Sequence, residues 1–181
     1  ALISMPLYAG MWYVDTTGKE GDSLQAAIDA AHTDPGVDTV LVKDGTYHLF
    51  INDSVGLIMR DSVVLISENG ALKCTLTAFS DDTLQRAWHV IYCDSVSEVG
   101  IIKGFTIKDG YSIGSSYIHY RGAGIYLNYS SPTIESCVII NNWAKYGDGG
   151  GIYADGHSDP KLKNNIIAYN QAYDEGGGLY I

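Results

Sequence analysis

Basic residues are scarce in this sequence, and their scarcity excludes proteins that bind nucleic acid. The 181 residues include 11 lysines and arginines against 21 aspartates and glutamates, which gives a formal net charge of −10. Binding to phosphates depends on clustered cations, so nucleic acid is excluded as a ligand. No apolar run approaches the ~20 residues that a membrane-spanning helix needs, so no transmembrane segment is predicted.

Cysteine and proline are also scarce. Three cysteines, Cys74, Cys93 and Cys137, are an odd number and cannot form a closed disulfide framework. One disulfide with one free thiol, or three buried thiols that act as small apolar side chains, fit equally well. The chain has only 4 prolines but 21 glycines and 14 tyrosines, and this composition favours a turn-rich β architecture.

The C-terminal third of the chain repeats itself at a step of 27 or 28 residues. A glycine-rich segment at residues 122–126 recurs at residues 149–153 and 176–180, with a step of 27 each time. Between these copies Pro132 matches Pro160 at a step of 28. The one-residue slip is therefore predicted to lie in the turn before the glycines.

A less regular copy precedes these repeats. Residues 101–107 align with residues 133–139 at a step of 32, and the extra residues fall in a loop at 112–120. The segments are short strands without helices between them, which excludes helical solenoids, and the repeat is too short for a propeller blade. The predicted fold is an all-β, right-handed parallel β-helix in which each strand stacks on its copy one coil away.

Alternation within the strands predicts which side chains face the core. Ile125, Ile152 and Leu179 occupy one position in three coils and are predicted to form a buried column. A second inward column is predicted for Phe105, Ile107, Cys137, Ile139, Asn165 and Ile167. Asn142 and Asn170 share a turn position, where stacked amides hydrogen-bond along a solenoid.

The N-terminal part of the chain predicts a cap. Leu24, Ala27, Ile28 and Ala31 follow the spacing of an amphipathic helix that begins after Asp22 as the N-cap. A solenoid end exposes core residues and unpaired backbone groups, so the helix is predicted to cover it. We predict one β-helix domain over residues 11–181, with the cap at about residues 11–47.

Residues 1–10 stand apart from this domain. They are mostly apolar and end in small residues, which is typical of the tail of a secretory signal peptide, and an ordinary N-terminal strand is the alternative. The signal-peptide interpretation predicts a secreted or cell-surface protein.

Two groups of residues carry a resemblance to a known family. Residues 23–31 and 39–47 resemble the N-terminal cap and first coil of the pectin-lyase-like superfamily. Residues 132–139 and 149–153 resemble the coils of bacterial right-handed parallel β-helix repeat proteins. The resemblance implies the fold and leaves the function broad, because the superfamily includes lyases, hydrolases and adhesins.

The enzymes of this superfamily cleave acidic polysaccharides with clustered acidic residues. Two turns carry such residues here, at Asp81 and Asp82 near Arg86, and at Asp155 near His157. Neither turn matches a motif of the family, so solvated turns are the favoured interpretation of both.

Acidic residues also meet where the coils align. Arg121, Asp148 and Glu175 occupy one repeat position in three successive coils, and Asp174 directly precedes Glu175. Like charges opposite one another destabilise a sheet, so Asp148, Asp174 and Glu175 either splay into water or bind Ca²⁺. The solvated arrangement is favoured, and Ca²⁺ is the one cofactor that the sequence suggests.

An outward column of aromatic rings is predicted for Tyr126, Tyr153 and Tyr180, because each follows an inward aliphatic residue. Sugars dock on such columns, because each ring offers an apolar face and a polar tip. Packing between outward neighbours is the alternative. Tyr146 and Tyr173 share another repeat position.

The sequence therefore favours a non-catalytic structural or adhesive module that contacts carbohydrate or another protein surface. The alternative is a polysaccharide lyase or glycoside hydrolase for acidic polysaccharide, with catalytic coils partly outside this chain. Residues 176–181 begin a new coil, and its unpaired edge predicts that a longer solenoid or another copy of the chain covers it.

Overall fold

The structure of the chain is a computed structural model that describes residues 10–15, 21–49, 55–79, 86–114 and 120–181. These residues form a parallel β-solenoid with one helix at its N-terminal end. A signal-peptide remnant or an N-terminal strand is predicted for residues 1–10, of which residues 1–9 lie outside the described residues, as does the acidic turn at Asp81 and Asp82.

The elements follow one another coil by coil. The N-terminal end consists of β1 (Met11–Val14) and α1 (Gly21–Thr33). The first two coils consist of β2 (Asp38–Val42), β3 (Gly45–His48), β4 (Val55–Met59), β5 (Val63–Ser67), β6 (Cys74–Thr77) and β7 (His89–Asp94). The third coil consists of β8 (Ile101–Lys103), β9 (Thr106–Lys108), β10 (Tyr111–Ser112) and β11 (Ile125–Asn128). The last two consist of β12 (Thr133–Glu135), β13 (Val138–Ile140), β14 (Trp143–Ala144), β15 (Ile152–Asp155), β16 (Lys161–Lys163), β17 (Ile166–Ala168), β18 (Gln171–Ala172) and β19 (Leu179–Tyr180).

Corresponding strands of successive coils pair in parallel and build the walls of the solenoid. The first sheet is β1-β2-β5-β8-β12-β16, the second is β3-β6-β9-β13-β17, and the third is β4-β7-β11-β15-β19. A short fourth sheet, β10-β14-β18, forms the corner between the second and third sheets.

The repeats found in the sequence are the coils. The third sheet pairs Ile125 with Ile152 at the predicted step of 27. The first sheet pairs Thr133 with Lys161 at a step of 28 and with Ile101 at a step of 32, also as predicted. The earlier coils had no readable register in the sequence, because their steps are longer and unequal.

The predicted core columns are confirmed in their register, and their members are buried except in the last coil. Ile125 and Ile152 are fully buried, whereas Leu179 in the last coil is 37% exposed. The second column is buried as far as Ile139, and beyond it Asn165 finds hydrogen-bond partners. Its Oδ1 accepts the Cys137 N–H at 2.9 Å, and its Nδ2 donates to a carbonyl at 2.8 Å, so this inward amide is satisfied.

The asparagine ladder is also confirmed, and it joins three coils. Asn142 is fully buried, and its Oδ1 accepts the Gly110 N–H at 2.9 Å. Its Nδ2 donates to the Ile107 carbonyl at 3.2 Å and to Asn170 Oδ1 at 3.0 Å. Asn170 in turn donates to the Ile139 carbonyl at 2.8 Å. Each amide thus ties the turn of its own coil to the preceding coil.

The helix covers the N-terminal end as predicted. Leu24, Ala27 and Ile28 on one face of α1 are fully buried. Gln25 accepts the Ile58 N–H at 2.7 Å and donates to the Ile58 carbonyl at 3.0 Å, which satisfies the open edge of β4. Strand β1, which was not predicted, extends the first sheet beside β2. Within the described residues no helix is long and apolar enough to cross a membrane.

All three cysteines are buried free thiols, so the alternative without a disulfide is correct. Burial, with a contribution from the Asp44 charge, raises the pKa of Cys74 to about 12. Burial likewise raises the pKa of Cys93 and of Cys137 above the ordinary range of a thiol. The thiolate is the reactive form, so all three side chains are held in an unreactive state.

We therefore expect the native protein to resist thiol reagents. At about pH 8 a chromogenic disulfide reagent should titrate close to no thiols in the native protein and all three after unfolding in denaturant. A cysteine that reacts within seconds in the native protein would contradict the burial of its side chain.

Candidate functional site

The fourth sheet presents large side chains to solvent from a corner of the solenoid. Its register pairs Tyr111 with Trp143 and Trp143 with Gln171, all on the outer side. The alternate positions hold the small side chains Ser112 and Ala144, which are fully buried. Small inward residues let the chain turn tightly at this corner, and the outer residues project from a rigid backbone.

The outer rings of this corner surround a lysine. The Tyr111 and Trp143 rings lie 5.3 Å apart between centroids, with an angle of 50° between their planes. Lys145 Nζ lies 5.8 Å from the Tyr111 centroid, 6.0 Å from that of Trp143 and 5.2 Å from that of Tyr146. Ammonium groups at these distances are attracted to the ring faces.

A second cation extends the surface toward the N-terminal end. Arg86 Cζ lies 4.0 Å from the centroid of the Phe79 ring and 5.7 Å from that of Tyr111. Phe79 and Arg86 form an isolated antiparallel bridge. We call the resulting surface the aromatic strip, and it consists of Phe79, Arg86, Tyr111, Trp143, Lys145 and Tyr146.

A one-residue bulge pushes Tyr146 outward. Tyr173 N–H in the last coil donates both to the Ala144 carbonyl at 3.0 Å and to the Gly147 carbonyl at 3.0 Å, so Tyr146 has no counterpart there. The predicted slip before the glycines is therefore correct. Because of the slip, Tyr146 and Tyr173 do not share the repeat position that the sequence predicted for them. Both side chains are exposed, Tyr146 to 53% and Tyr173 to 74%.

The strip is cationic on a protein that is acidic as a whole. Hydrogen bonds with the Tyr111 and Tyr146 hydroxyls raise the pKa of Lys145, so its ammonium group stays charged. Trp143 is 38% exposed, which leaves part of the indole face open beside that charge. The strip thus combines open ring faces with hydrogen-bond donors.

The predicted column of tyrosines also exists, and it is longer than predicted. Tyr92, Tyr126, Tyr153 and Tyr180 stack on the third sheet with centroid separations of 5.6, 5.4 and 5.2 Å. The rings of the column lie nearly parallel, with angles of 12° to 26° between neighbours. Packing between outward neighbours is therefore what this column does.

The exposure predicted for the tyrosine column is wrong. Tyr126 is fully buried, Tyr153 is 3% exposed, and Tyr180 is partly exposed. The turn before each strand folds back over the ring: a Cβ on Gly149, which has a φ of +63°, would lie 2.6 Å from Tyr153 Cβ. Burial, with the nearby Asp155, strongly raises the pKa of Tyr126. Carbohydrate contact at this column stays a prediction, and burial limits it to Tyr180.

The acidic corner forms a structural link between coils. Asp148 Oδ2 accepts a hydrogen bond from Arg121 Nε at 2.8 Å, and Asp148 Oδ1 accepts the Glu175 N–H at 3.0 Å. Both oxygens of Asp148 are therefore engaged, and Asp174 and Glu175 are exposed to solvent. Among the described residues no group of three or more His, Cys, Asp or Glu side chains is arranged to hold a metal. Calcium binding by these three carboxylates stays a prediction without geometric support.

The turn at Asp155 and His157 is also explained by packing. Asp155 Oδ2 accepts a hydrogen bond from the Tyr126 hydroxyl at 3.1 Å. The exposed His157 ring lies edge-on to Tyr129, with 6.4 Å between centroids. Neither contact positions a base beside an acid.

The sequence contained a signal for the aromatic strip. Asn142-Trp143-Ala144 matches Asn170-Gln171-Ala172, and a small inward residue beside a large one marks an outward ring. Burial is what distinguishes the two aromatic sets: the tyrosine column is largely covered, whereas Trp143 and Tyr146 of the strip are exposed.

Comparison with known proteins places the fold. The family profile described as right handed beta helix region matches residues 89–181, slightly more than half of the chain. Neither the curated proteins nor the solved structures returned a match.

Proposed function

The chain belongs to the right-handed β-helix family, and from that premise we propose that it is a non-catalytic module that binds carbohydrate on its aromatic strip. The module acts as a structural or adhesive element of a secreted or cell-surface protein. The acidic composition and the apolar residues 1–10 support this location.

The observation that carries the proposal is the ring of aromatic side chains around Lys145. The apolar faces of sugar rings stack on indole and phenol rings, and sugar hydroxyls accept hydrogen bonds from ammonium and guanidinium groups. Trp143 and Tyr146 supply the open faces, and Lys145 and Arg86 supply the donors.

The backbone that carries the aromatic strip is regular and hydrogen-bonded, which favours a binding surface. Tyr111 and Trp143 lie on paired strands, and the N–H of Trp143 donates to the Gly110 carbonyl at 2.9 Å. Binding groups on regular strands are held more precisely than groups on loops. A glycan chain that runs along the solenoid axis meets Tyr111 and Trp143 on neighbouring coils, at the strand spacing of ~4.8 Å.

We expect Trp143→Ala to weaken carbohydrate binding about tenfold or more. Removing an aromatic anchor of a binding surface costs about 2 kcal/mol or more, and ~1.4 kcal/mol corresponds to a factor of ten. The measurement is affinity electrophoresis or calorimetry with a panel of neutral and charged polysaccharides, followed by titration of the variant with the best ligand.

Tyr169→Asn is the matched control for this variant. Tyr169 is an exposed tyrosine outside the strip, 82% accessible, with a φ of 56°. Asn141 occupies the same position one coil earlier with the same φ of 56°, so asparagine fits there without strain. The control should bind as the wild type does. Equal binding by the Trp143 variant, or no binding by the wild type to any polysaccharide, would refute the proposal.

The same panel tests catalysis. Incubation of each polysaccharide with the protein should release neither reducing ends nor products that absorb in the ultraviolet. Release of either product would make the protein a hydrolase or a lyase, and the strip would then be its substrate-binding surface.

A further inference from the structure

An aspartate faces inward at the N-terminal end of the solenoid. Asp38 begins β2 and shares its inner face with Val40 and Val42, both of which are fully buried. Asp38 itself is only 4% exposed, although it carries a carboxyl group. An aspartate at a core position is unusual, because burying a carboxylate is costly unless it is paired.

The buried carboxylate has an unsatisfied oxygen. Asp38 Oδ2 is enclosed and has no hydrogen-bond partner among the residues that the structure describes. Gly10 approaches the other oxygen so closely that a Cβ on Gly10 would lie 2.7 Å from Asp38 Oδ1. Buried polar atoms in folded proteins almost always have a partner, so an orphaned carboxylate oxygen indicates a missing one.

A cleft opens beside the Asp38 side chain. Its volume is about 340 Å³, and it is lined by Gly10, Asp34, Pro35, Val37 and Asp38. Burial raises the pKa of Asp38, and the nearby charge of Asp34 raises it further, so the two carboxylates repel one another in the absence of a cation.

We propose that this cleft is a binding site for a hard divalent cation, held by Asp38 and Asp34. Two carboxylates carry the charge that matches one divalent ion, and they present oxygen atoms alone, which Ca²⁺ and Mg²⁺ prefer. The open side of the cleft admits the waters that complete the coordination. The site lies at the opposite end of the solenoid from Asp148, Asp174 and Glu175.

The cation joins the end of the solenoid to the turn that follows the helix. Asp34 lies just beyond α1, and Asp38 lies at the start of β2. With few protein ligands the site is weak, with a Kd of about 10⁻⁴–10⁻³ M, the range of extracellular calcium modules.

The experiment measures the melting temperature of the full chain in CaCl₂, in MgCl₂ and in KCl of equal ionic strength. At a free cation concentration of about ten times the Kd, binding to the folded state should raise Tm by about 3–6 °C for a chain of this size. The Ca²⁺ and Mg²⁺ series identify the preferred ion. Terbium luminescence sensitised by Trp12, two residues from Gly10, reports occupancy independently of stability.

Three variants locate the site. Asp38→Asn should abolish the divalent shift in Tm and the terbium signal, and Asp34→Asn, at an exposed position, should reduce both without disturbing the core. Asp148→Asn should keep both responses. A wild-type Tm that rises no more in CaCl₂ or MgCl₂ than in KCl, or a response that survives Asp38→Asn, overturns the proposal. Loss of the response in Asp148→Asn also overturns it, because the cation would then lie at the acidic corner.

Discussion

Replacing Asn142 by alanine should lower the free energy of unfolding by about 3–4 kcal/mol, because it leaves several buried groups without partners. The Gly110 N–H loses its acceptor, and the Ile107 carbonyl and Asn170 Oδ1 lose a donor. Asn142 is fully buried, so bulk water does not reach these groups in the native fold. Denaturant unfolding, followed by Trp fluorescence and circular dichroism, measures the loss.

Asn170→Ala is the control for the asparagine ladder. It removes an amide at the same position one coil later, where the side chain is partly exposed and water can reach the groups left behind. The destabilisation should be about half that of Asn142→Ala or less. Equal losses for the two variants would mean that the missing side-chain volume, and not the unsatisfied groups, dominates.

The substitution Gly110→Ala should destabilise the protein by about 3 kcal/mol or more, because the added methyl group meets backbone that cannot move aside. A Cβ on Gly110 would overlap the Ala123 carbonyl oxygen and lie 2.6 Å from the Ala123 carbonyl carbon. Relief requires a shift of the glycine-rich segment before β11, which is held by backbone hydrogen bonds to the coils on both sides, through the Ala123 carbonyl and the Gly124 N–H. Thermal and denaturant unfolding measure the effect.

Gly70→Ala separates this clash from the general cost of replacing a glycine. Gly70 has a φ of +86°, and a Cβ there would meet nothing within 4 Å. Its cost should be limited to the backbone strain of a left-handed residue, about 1–2 kcal/mol. A Gly110 variant no less stable than the Gly70 variant would show that the corner tolerates a wider separation of Gly110 from Ala123.

Both large effects concern the corner that carries the aromatic strip. Gly110 precedes Tyr111, and Asn142 precedes Trp143, so the ladder and the close approach set the positions of the two rings. We therefore expect a variant at either position to weaken ligand binding even where it remains folded. The strip is thus a property of the corner as well as of its aromatic residues.

Much of the fold was predictable because a solenoid repeats its environment. The same position in each coil has the same neighbours, so Ile125 and Ile152 read as one column. The amphipathic spacing of Leu24 and Ile28 identified the capping helix for a similar reason, because one face of it had to be apolar. The register of the earlier coils could not be predicted in this way, because the number of residues per coil varies there.

The functional surface was predictable only in part. The sequence pointed to Tyr126, Tyr153 and Tyr180 as outward rings, and the alternation was correct. Their burial depends on a turn that folds over them, and local periodicity carries no information about such a turn. The aromatic strip is not marked by one repeat position, because Trp143 pairs with Tyr111 in the coil before it and with Gln171 in the coil after it.

The sequence by itself determined the coil length, the side of each strand that faces the core and the presence of an end cap, because each is set by spacing along the chain. The tertiary structure alone decided which outward side chains remain open, which carboxylates find partners and which do not. Asp148 is paired across coils, whereas Asp38 has an oxygen without a hydrogen-bond partner and lines a cleft. The physical reason is that accessibility and charge pairing depend on groups that approach through space from other coils, at distances that the order of residues does not specify.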